Sequence, residues 1–202
     1  HADKVVASAE TYTGLVEVGA GVIPGGGGTK EFALRLSDET FDGDIELPSL
    51  RDKFLTIGMA KVSTSAAEAF DLGFYKKGRD KYVVNQDRQI AEAKTTVLDM
   101  ANAGYTSPKE RKDIRVLGRQ GLGMVYAGAY TMYSGKYISE HDKLISEKLG
   151  YVLCGGDLSN KTLVSEQYLL NLEREAFLSL LGEKKTLERI QSILTTGKPL
   201  RN

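Results

Sequence analysis

The spacing of apolar residues changes character near residue 29. Before it, short β-type runs alternate with glycine: Val5-Val6-Ala7-Ser8-Ala9 reads as one strand, and Leu15 to Val18 as a second, shorter extended piece. Pro24 and the four glycines that follow, Gly25 to Gly28, suit the interior of neither a helix nor a strand. From Thr29 onward the apolar residues recur mostly at helical spacing. Ile90, Ala93, Val97, Met100 and Ala101 keep that period until Gly104, and Leu122, Val125, Tyr126, Ala129, Met132 and Tyr133 form another face. Ile138 to Leu149 reads as a further helix stopped by Gly150, and residues 163–181 and 184–195 complete a helical tail before Gly197-Lys198-Pro199. Two stretches carry helix-start chemistry. Ser65-Ala66-Ala67-Glu68 is a capping box with Gly73 where a C-cap belongs. Ser107-Pro108-Lys109-Glu110 is a second, with proline at the first helical position.

The turn Gly104-Tyr105-Thr106-Ser107-Pro108 divides a β-to-helix segment, 1–104, from a helical extension, 105–202. Two strands alone are marginal in water. The chain also opens at His1, without Met, straight into an apolar run. Both features predict that these strands join others upstream. At 202 residues the chain is one domain or one and a fraction. Its 27 Lys+Arg against 27 Asp+Glu cancel, which gives no support to a nucleic-acid partner, since that would favour a basic stripe. No apolar run reaches the roughly 18 residues a membrane span needs, and no signal-peptide pattern opens the chain. A lone cysteine, Cys154, leaves no partner for an intramolecular disulfide and points to a reducing, cytoplasmic setting. With only His1 and His141 beside it, a metal site is not expected.

Candidate chemistry sits in the first 30 residues. Gly25-Gly26-Gly27-Gly28-Thr29-Lys30 invites a phosphate-loop reading but has the wrong order, because a phosphate loop needs the lysine before the hydroxyl residue. A tight turn into a helix N-terminus is the plainer reading. Glu17 is the only acid between Glu10 and Glu31, set among apolar residues and glycine. At an exposed strand end it would be solvated; enclosed, it would favour its protonated form and suit proton transfer near neutral pH. Elsewhere the plain readings prevail. Tyr126, Tyr130 and Tyr133 read as a core or interface stripe, Lys76 to Lys81 as a solvated basic loop, His141 as an exposed helix residue and Cys154 as a buried or idle thiol. Glu173 and Glu175 read as surface charge.

Together, His1 to Ala9, Gly14-Leu15-Val16-Glu17 and Gly21-Val22-Ile23-Pro24-Gly25-Gly26-Gly27-Gly28-Thr29 resemble the crotonase (enoyl-CoA hydratase/isomerase) superfamily. There a strand of this type precedes a Gly-x-x-Glu element and a Gly-x-x-Pro-Gly-x-Gly-Gly turn. Ala60 to Phe74 is similar to a later stretch of that family, and Leu163 to Asn202 to bacterial enzymes that fuse a 3-hydroxyacyl-CoA dehydrogenase to a crotonase module. The resemblance implies an α/β fold: the carboxy-terminal portion of a crotonase-like ββα spiral core, followed by a mostly α-helical extension. It implies that Glu17 exchanges a proton at the α-carbon of an acyl thioester, with Gly14, Pro24 and Gly25 shaping the wall beside the acyl group. The backbone donors for the enolate-like oxygen and the water-activating glutamate would lie upstream of His1. The implied partners are an acyl-CoA substrate and the upstream part of the same polypeptide, with self-association left open. No cofactor is implied in this chain; NAD would enter only with a dehydrogenase module fused upstream. The function implied is the enoyl-CoA hydratase module of a bifunctional fatty-acid β-oxidation enzyme, hydrating a trans-2-enoyl-CoA to the 3-hydroxyacyl-CoA; the alternatives are an enoyl-CoA isomerase or a non-catalytic assembly fragment of the same polypeptide.

Overall fold

The computed structural model describes residues 2–202, so His1, where the family resemblance begins, lies outside them. The elements run β1 (Val6–Ser8), β2 (Thr13–Gly14), a 3-10 turn (Glu17–Ala20), α1 (Gly28–Glu39), α2 (Glu46–Gly58), β3 (Val62–Ser63), α3 (Ala66–Asp71) and β4 (Lys81–Val83). After a second 3-10 turn (Gln86–Arg88) come α4 (Gln89–Asn102), β5 (Ile114–Val116), α5 (Arg119–Ser134), α6 (Glu140–Leu153), β6 (Thr162–Val164), α7 (Glu166–Leu181) and α8 (Lys184–Thr196). The fold is mixed α/β and dominated by helix. It divides into two compact units, residues 2–14 with 62–109, and residues 15–61 with 110–202. No helix is long and apolar enough to cross a membrane among the described residues.

In the first unit, β1 and β4 pair in parallel with Ala7 opposite Tyr82, and β2 and β3 pair antiparallel with Gly14 opposite Val62. Residues Val5 to Ala9 thus form the expected strand at their centre. The loop entering β4 is held by Asp80, whose buried carboxylate accepts from the Val5 amide at 3.0 Å and pairs with Arg79 at 2.8 Å. The expected cap of α3 is present: Ser65 Oγ accepts from the Glu68 amide at 3.1 Å. The return bond lands one residue early, since Glu68 Oε2 accepts from the amide and hydroxyl of Thr64 rather than from Ser65. The α4 helix forms where its period predicts, and Gln89 ties it to β1 through the Val6 carbonyl at 3.1 Å. Its apolar stripe is not a core face, however: Ile90 is 84% and Val97 64% exposed.

In the second unit, α1, α2, α5, α6 and α7 enclose a core that includes Ile23, Phe32, Leu50, Ile57, Leu149, Val152, Leu169 and Leu180. The antiparallel pair β5 and β6, with Ile114 opposite Val164, lies against α1. Two sequence expectations fail here for identifiable reasons. Ser107-Pro108-Lys109-Glu110 starts no helix. The Arg111 amide donates to Glu166 Oε2 at 2.9 Å and Glu110 accepts from the Gln167 amide, so the segment is held extended and runs into β5. Gly150 does not stop α6, which continues to Leu153. A Cβ there would lie 2.5 Å from Val125 Cγ1, so this glycine lets α5 and α6 approach closely.

Candidate active site

The segment Leu15 to Val18 is not a strand. Extended pairing ends at Gly14, and Glu17 opens the 3-10 turn, which the Gly21 amide closes on the Val18 carbonyl at 3.1 Å and the Val22 amide on Glu17 at 3.3 Å. Gly21 leaves the turn at φ +91°, a left-handed conformation that glycine adopts without steric cost. Glu17 is half-buried, and its Oε2 is a buried oxygen with no hydrogen-bond partner among the described residues. Buried polar atoms are rarely left so, and each one that is calls for an explanation. Pro24 is buried and its carbonyl accepts from Thr29 Oγ1 at 3.1 Å. Gly25 is exposed to solvent on one side and pressed by Phe177 on the other, where a Cβ would stand 2.6 Å from the ring. Glu17, Pro24 and Gly25 therefore share one unit; Gly14 belongs to the other, where it pairs with Val62.

The glycine turn that follows leaves backbone amides at the start of α1 without helical partners, as every helix start does. Glu173 of α7 takes them. Its Oε1 accepts from the Gly27 amide at 2.5 Å and its Oε2 from the Lys30 amide at 2.9 Å. A protein carboxylate thus occupies the position a phosphate would need. Glu173 is not surface charge but is fully buried, and burial pushes its carboxyl above the usual range against the pull of these amides. Lys30, also buried, turns its ammonium to Glu166 at 3.0 Å.

The second support of the Glu17 turn comes from α8, whose packing against it buries Thr186 and Arg189. Thr186 Oγ1 donates to the Gly21 carbonyl at 2.8 Å and lies 2.9 Å from His141 Nε2. The hydroxyl's single proton goes to the carbonyl, so Nε2 carries the proton between them. His141 is thus buried rather than an exposed helix residue. Burial, and then the nearby Arg189 charge, lower its pKa. Arg189 Nη2 pairs with Asp142 Oδ1 at 2.8 Å, its Nε donates to Asn202 Oδ1 at 2.9 Å, and its Nη1 reaches the Val18 carbonyl at 3.4 Å. Burial opposes ionisation of Asp142, but the Ser139 amide and the Arg189 guanidinium outweigh it and hold the carboxyl below its ordinary value.

Cys154 is fully buried, and burial alone pushes its thiol up to about 12, so it is inert as a nucleophile. The tyrosines Tyr126, Tyr130 and Tyr133 are exposed rather than core, with the Lys143 ammonium over the last two rings at 5.9 and 5.8 Å. In the basic loop, Arg79 is engaged by Asp80, and Lys81 by Glu92 at 3.2 Å. Sequence reasoning singled out none of Glu173, Arg189, Thr186 and His141 as part of this architecture. The only signal was weak: an acid and an arginine at helix positions between leucines that keep a core period.

The chain is 43% identical over 201 residues to a Bacillus subtilis (strain 168) protein named "Probable 3-hydroxyacyl-CoA dehydrogenase". It is a relative of that protein. The match takes in the whole of this chain and 25% of the Bacillus protein, so the chain spans about a quarter of the relative's length. No protein-family model matches the sequence, and no solved structure does.

Proposed function

We propose that this chain carries the proton-transferring acid of a crotonase-type enoyl-CoA hydratase module, within a polypeptide related to 3-hydroxyacyl-CoA dehydrogenases. The observation that carries the reading is Glu17 itself. It is an acid at the position where the chain resembles the family's motif, on a 3-10 turn, with one carboxylate oxygen buried and without a hydrogen-bond partner among the described residues. A buried polar atom left so calls for a partner, and the reading supplies one in the acyl thioester held between this turn and the upstream part of the module. In the proposed reaction, a glutamate supplied upstream takes a proton from water as its oxygen adds to C3 of a trans-2-enoyl thioester, and the Glu17 carboxyl delivers a proton to the α-carbon, so that one proton is taken up and one given. The charge that develops on the thioester oxygen is met by backbone N–H donors supplied upstream, an arrangement worth several kcal/mol. The product is a 3-hydroxyacyl thioester, the compound in the relative's name, so hydration and oxidation would be consecutive steps on one polypeptide. The module takes the coenzyme A thioester as substrate and no cofactor of its own; NAD belongs with a dehydrogenase module.

The test is hydration of crotonyl-CoA by the full-length polypeptide, with Glu17→Gln beside it. The substitution keeps shape and polarity but cannot deliver the proton. Turnover is expected to fall roughly 100- to 10,000-fold, the usual contribution of general acid–base catalysis, with KM little changed. Equal turnover in the two proteins removes Glu17 from the mechanism. A folded wild type that hydrates nothing but moves the double bond of a 3-enoyl-CoA replaces the hydratase reading with an isomerase.

A further inference from the structure

A carboxylate oxygen with no partner is not aimed by its own hydrogen bonds. The direction of Glu17 is set instead by the backbone from which it hangs, a four-residue 3-10 turn. Two of that turn's carbonyls are gripped by side chains that arrive from α8, near the other end of the chain. Thr186 holds the Gly21 carbonyl at 2.8 Å, and Arg189 reaches the Val18 carbonyl at 3.4 Å. The contact is tight. A Cβ on Gly21 would lie 3.0 Å from Thr186 Cα, so the α8 backbone itself rests on the turn. Behind these two residues stands a second layer: Asp142 at the start of α6 neutralises Arg189, and His141 meets the Thr186 hydroxyl. Asn202 is folded back beside α8, accepting from Arg189 Nε at 2.9 Å and donating to the Lys185 carbonyl at 3.1 Å. Burying a guanidinium is costly unless a partner and further acceptors meet it. Asp142 alone would neutralise this one, whereas its fork is spread over α6, the tail and the turn.

We propose that Arg189 and Thr186 are positioning residues for Glu17: α8 and the tail around Asn202 hold the 3-10 turn, and through it the aim of the carboxylate. This makes the last helix part of the working site rather than a distant cap. The inference rests on the assignment of Glu17 as the acid. Its action is indirect, since neither residue is proposed to touch substrate.

The experiment uses the full-length polypeptide and four variants: Thr186→Val, Arg189→Met, Arg189→Lys and Glu17→Gln. Turnover and KM for crotonyl-CoA are measured together with amide hydrogen exchange of the peptide spanning residues 15–24. Misplacing a catalytic group by about 1 Å can cost about 100-fold in rate. Thr186→Val and Arg189→Met are therefore expected to lower kcat roughly 10- to 100-fold with KM within about threefold, and to speed exchange in that peptide. Arg189→Lys, which keeps the charge but not the fork, should fall between. Should Arg189→Met fail to fold, the nearly isosteric Thr186→Val decides. Wild-type kcat in both Thr186→Val and Arg189→Lys, beside an inactive Glu17→Gln, overturns the positioning role while leaving Glu17 in place. A Glu17→Gln variant as active as wild type overturns the assignment of the acid, and the positioning role with it.

Discussion

Glycines on either side of Pro24 are not equivalent, and Gly21→Ala should separate their roles. At Gly21 the backbone is left-handed at φ +91°, which costs an L-residue about 1–2 kcal/mol. The new Cβ would also stand 2.9 Å from Thr186 Oγ1 and 3.0 Å from Thr186 Cα. The hydroxyl can rotate but the Cα cannot, so either the turn or α8 must shift, and such overpacking costs typically 1–3 kcal/mol. Together these give a destabilisation of about 2–5 kcal/mol. At roughly 2–4 °C per kcal/mol for a protein of this size, the melting temperature should fall by roughly 4–20 °C. Gly26→Ala is the matched control. Its backbone has no positive φ in the left-handed range, and a Cβ there meets nothing within 4 Å. Removing a glycine's freedom in the unfolded chain should leave Gly26→Ala as stable as wild type or more so by about 0.4–1 kcal/mol. Thermal melts followed by circular dichroism at 222 nm compare the three proteins. A Gly21→Ala melt within 1 °C of wild type, or an equal loss in both variants, would refute the argument that α8 bears directly on the Glu17 turn.

Two other regions give independent checks. Gly150→Ala should be destabilising by about 1–3 kcal/mol through its clash with Val125, and Val125→Ala should relieve much of that loss. Denaturant unfolding of the two singles and the double would then show coupling well above the roughly 0.3–0.5 kcal/mol within which independent sites add; additive losses would contradict the close α5–α6 approach. His141 titrates below its ordinary value of 6.5 because burial, and then Arg189, disfavour the imidazolium. The unfolded chain therefore takes up the proton first, so the stabilising contribution is present above that value and is lost as pH falls below it. His141→Gln should flatten the decline in melting temperature as pH falls below about 6.5; superimposable pH profiles would argue against it.

Local chemistry was legible where it acts over a few residues. The strand around Ala7, the Ser65 cap and the helices α7 and α8 can be read from period and capping residues, although Leu163 and Val164, read as the start of the helical tail, pair in β6 instead. The readings that fail are those in which a distant contact overrides a local signal. Ser107-Pro108-Lys109-Glu110 has the letters of a helix start, but the first residues of α7 capture the backbone just after it. Gly150 has the letter of a helix stop, yet Val125 on a neighbouring helix is the reason it must be glycine. In α4 the apolar period correctly marks a helix, whereas period alone does not say whether that face is covered.

The same division runs through the candidate site. Glu17 and its glycine turn stand in one short stretch, so a motif can point to them. What holds them does not. The amides of Gly27 and Lys30 are met by Glu173, and the carbonyls of Val18 and Gly21 by Arg189 and Thr186, more than 140 residues away in each case. These partners look ordinary in sequence because a helix period records only which face is buried, not which polar groups wait beneath it. Glu173 and Arg189 each stand among the chain's 27 acidic and 27 basic residues, and in sequence nothing marks them as the two most deeply buried charges among the described residues, 1% and 2% exposed. A charged residue on the apolar side of a helix is costly unless something receives it. Here Arg189 is received by the turn that bears Glu17, and Glu173 by the glycine turn that follows it, so each buried charge holds a piece of backbone in shape. If Glu17 is the acid proposed above, the buried charges at the far end of the chain set the geometry in which it acts.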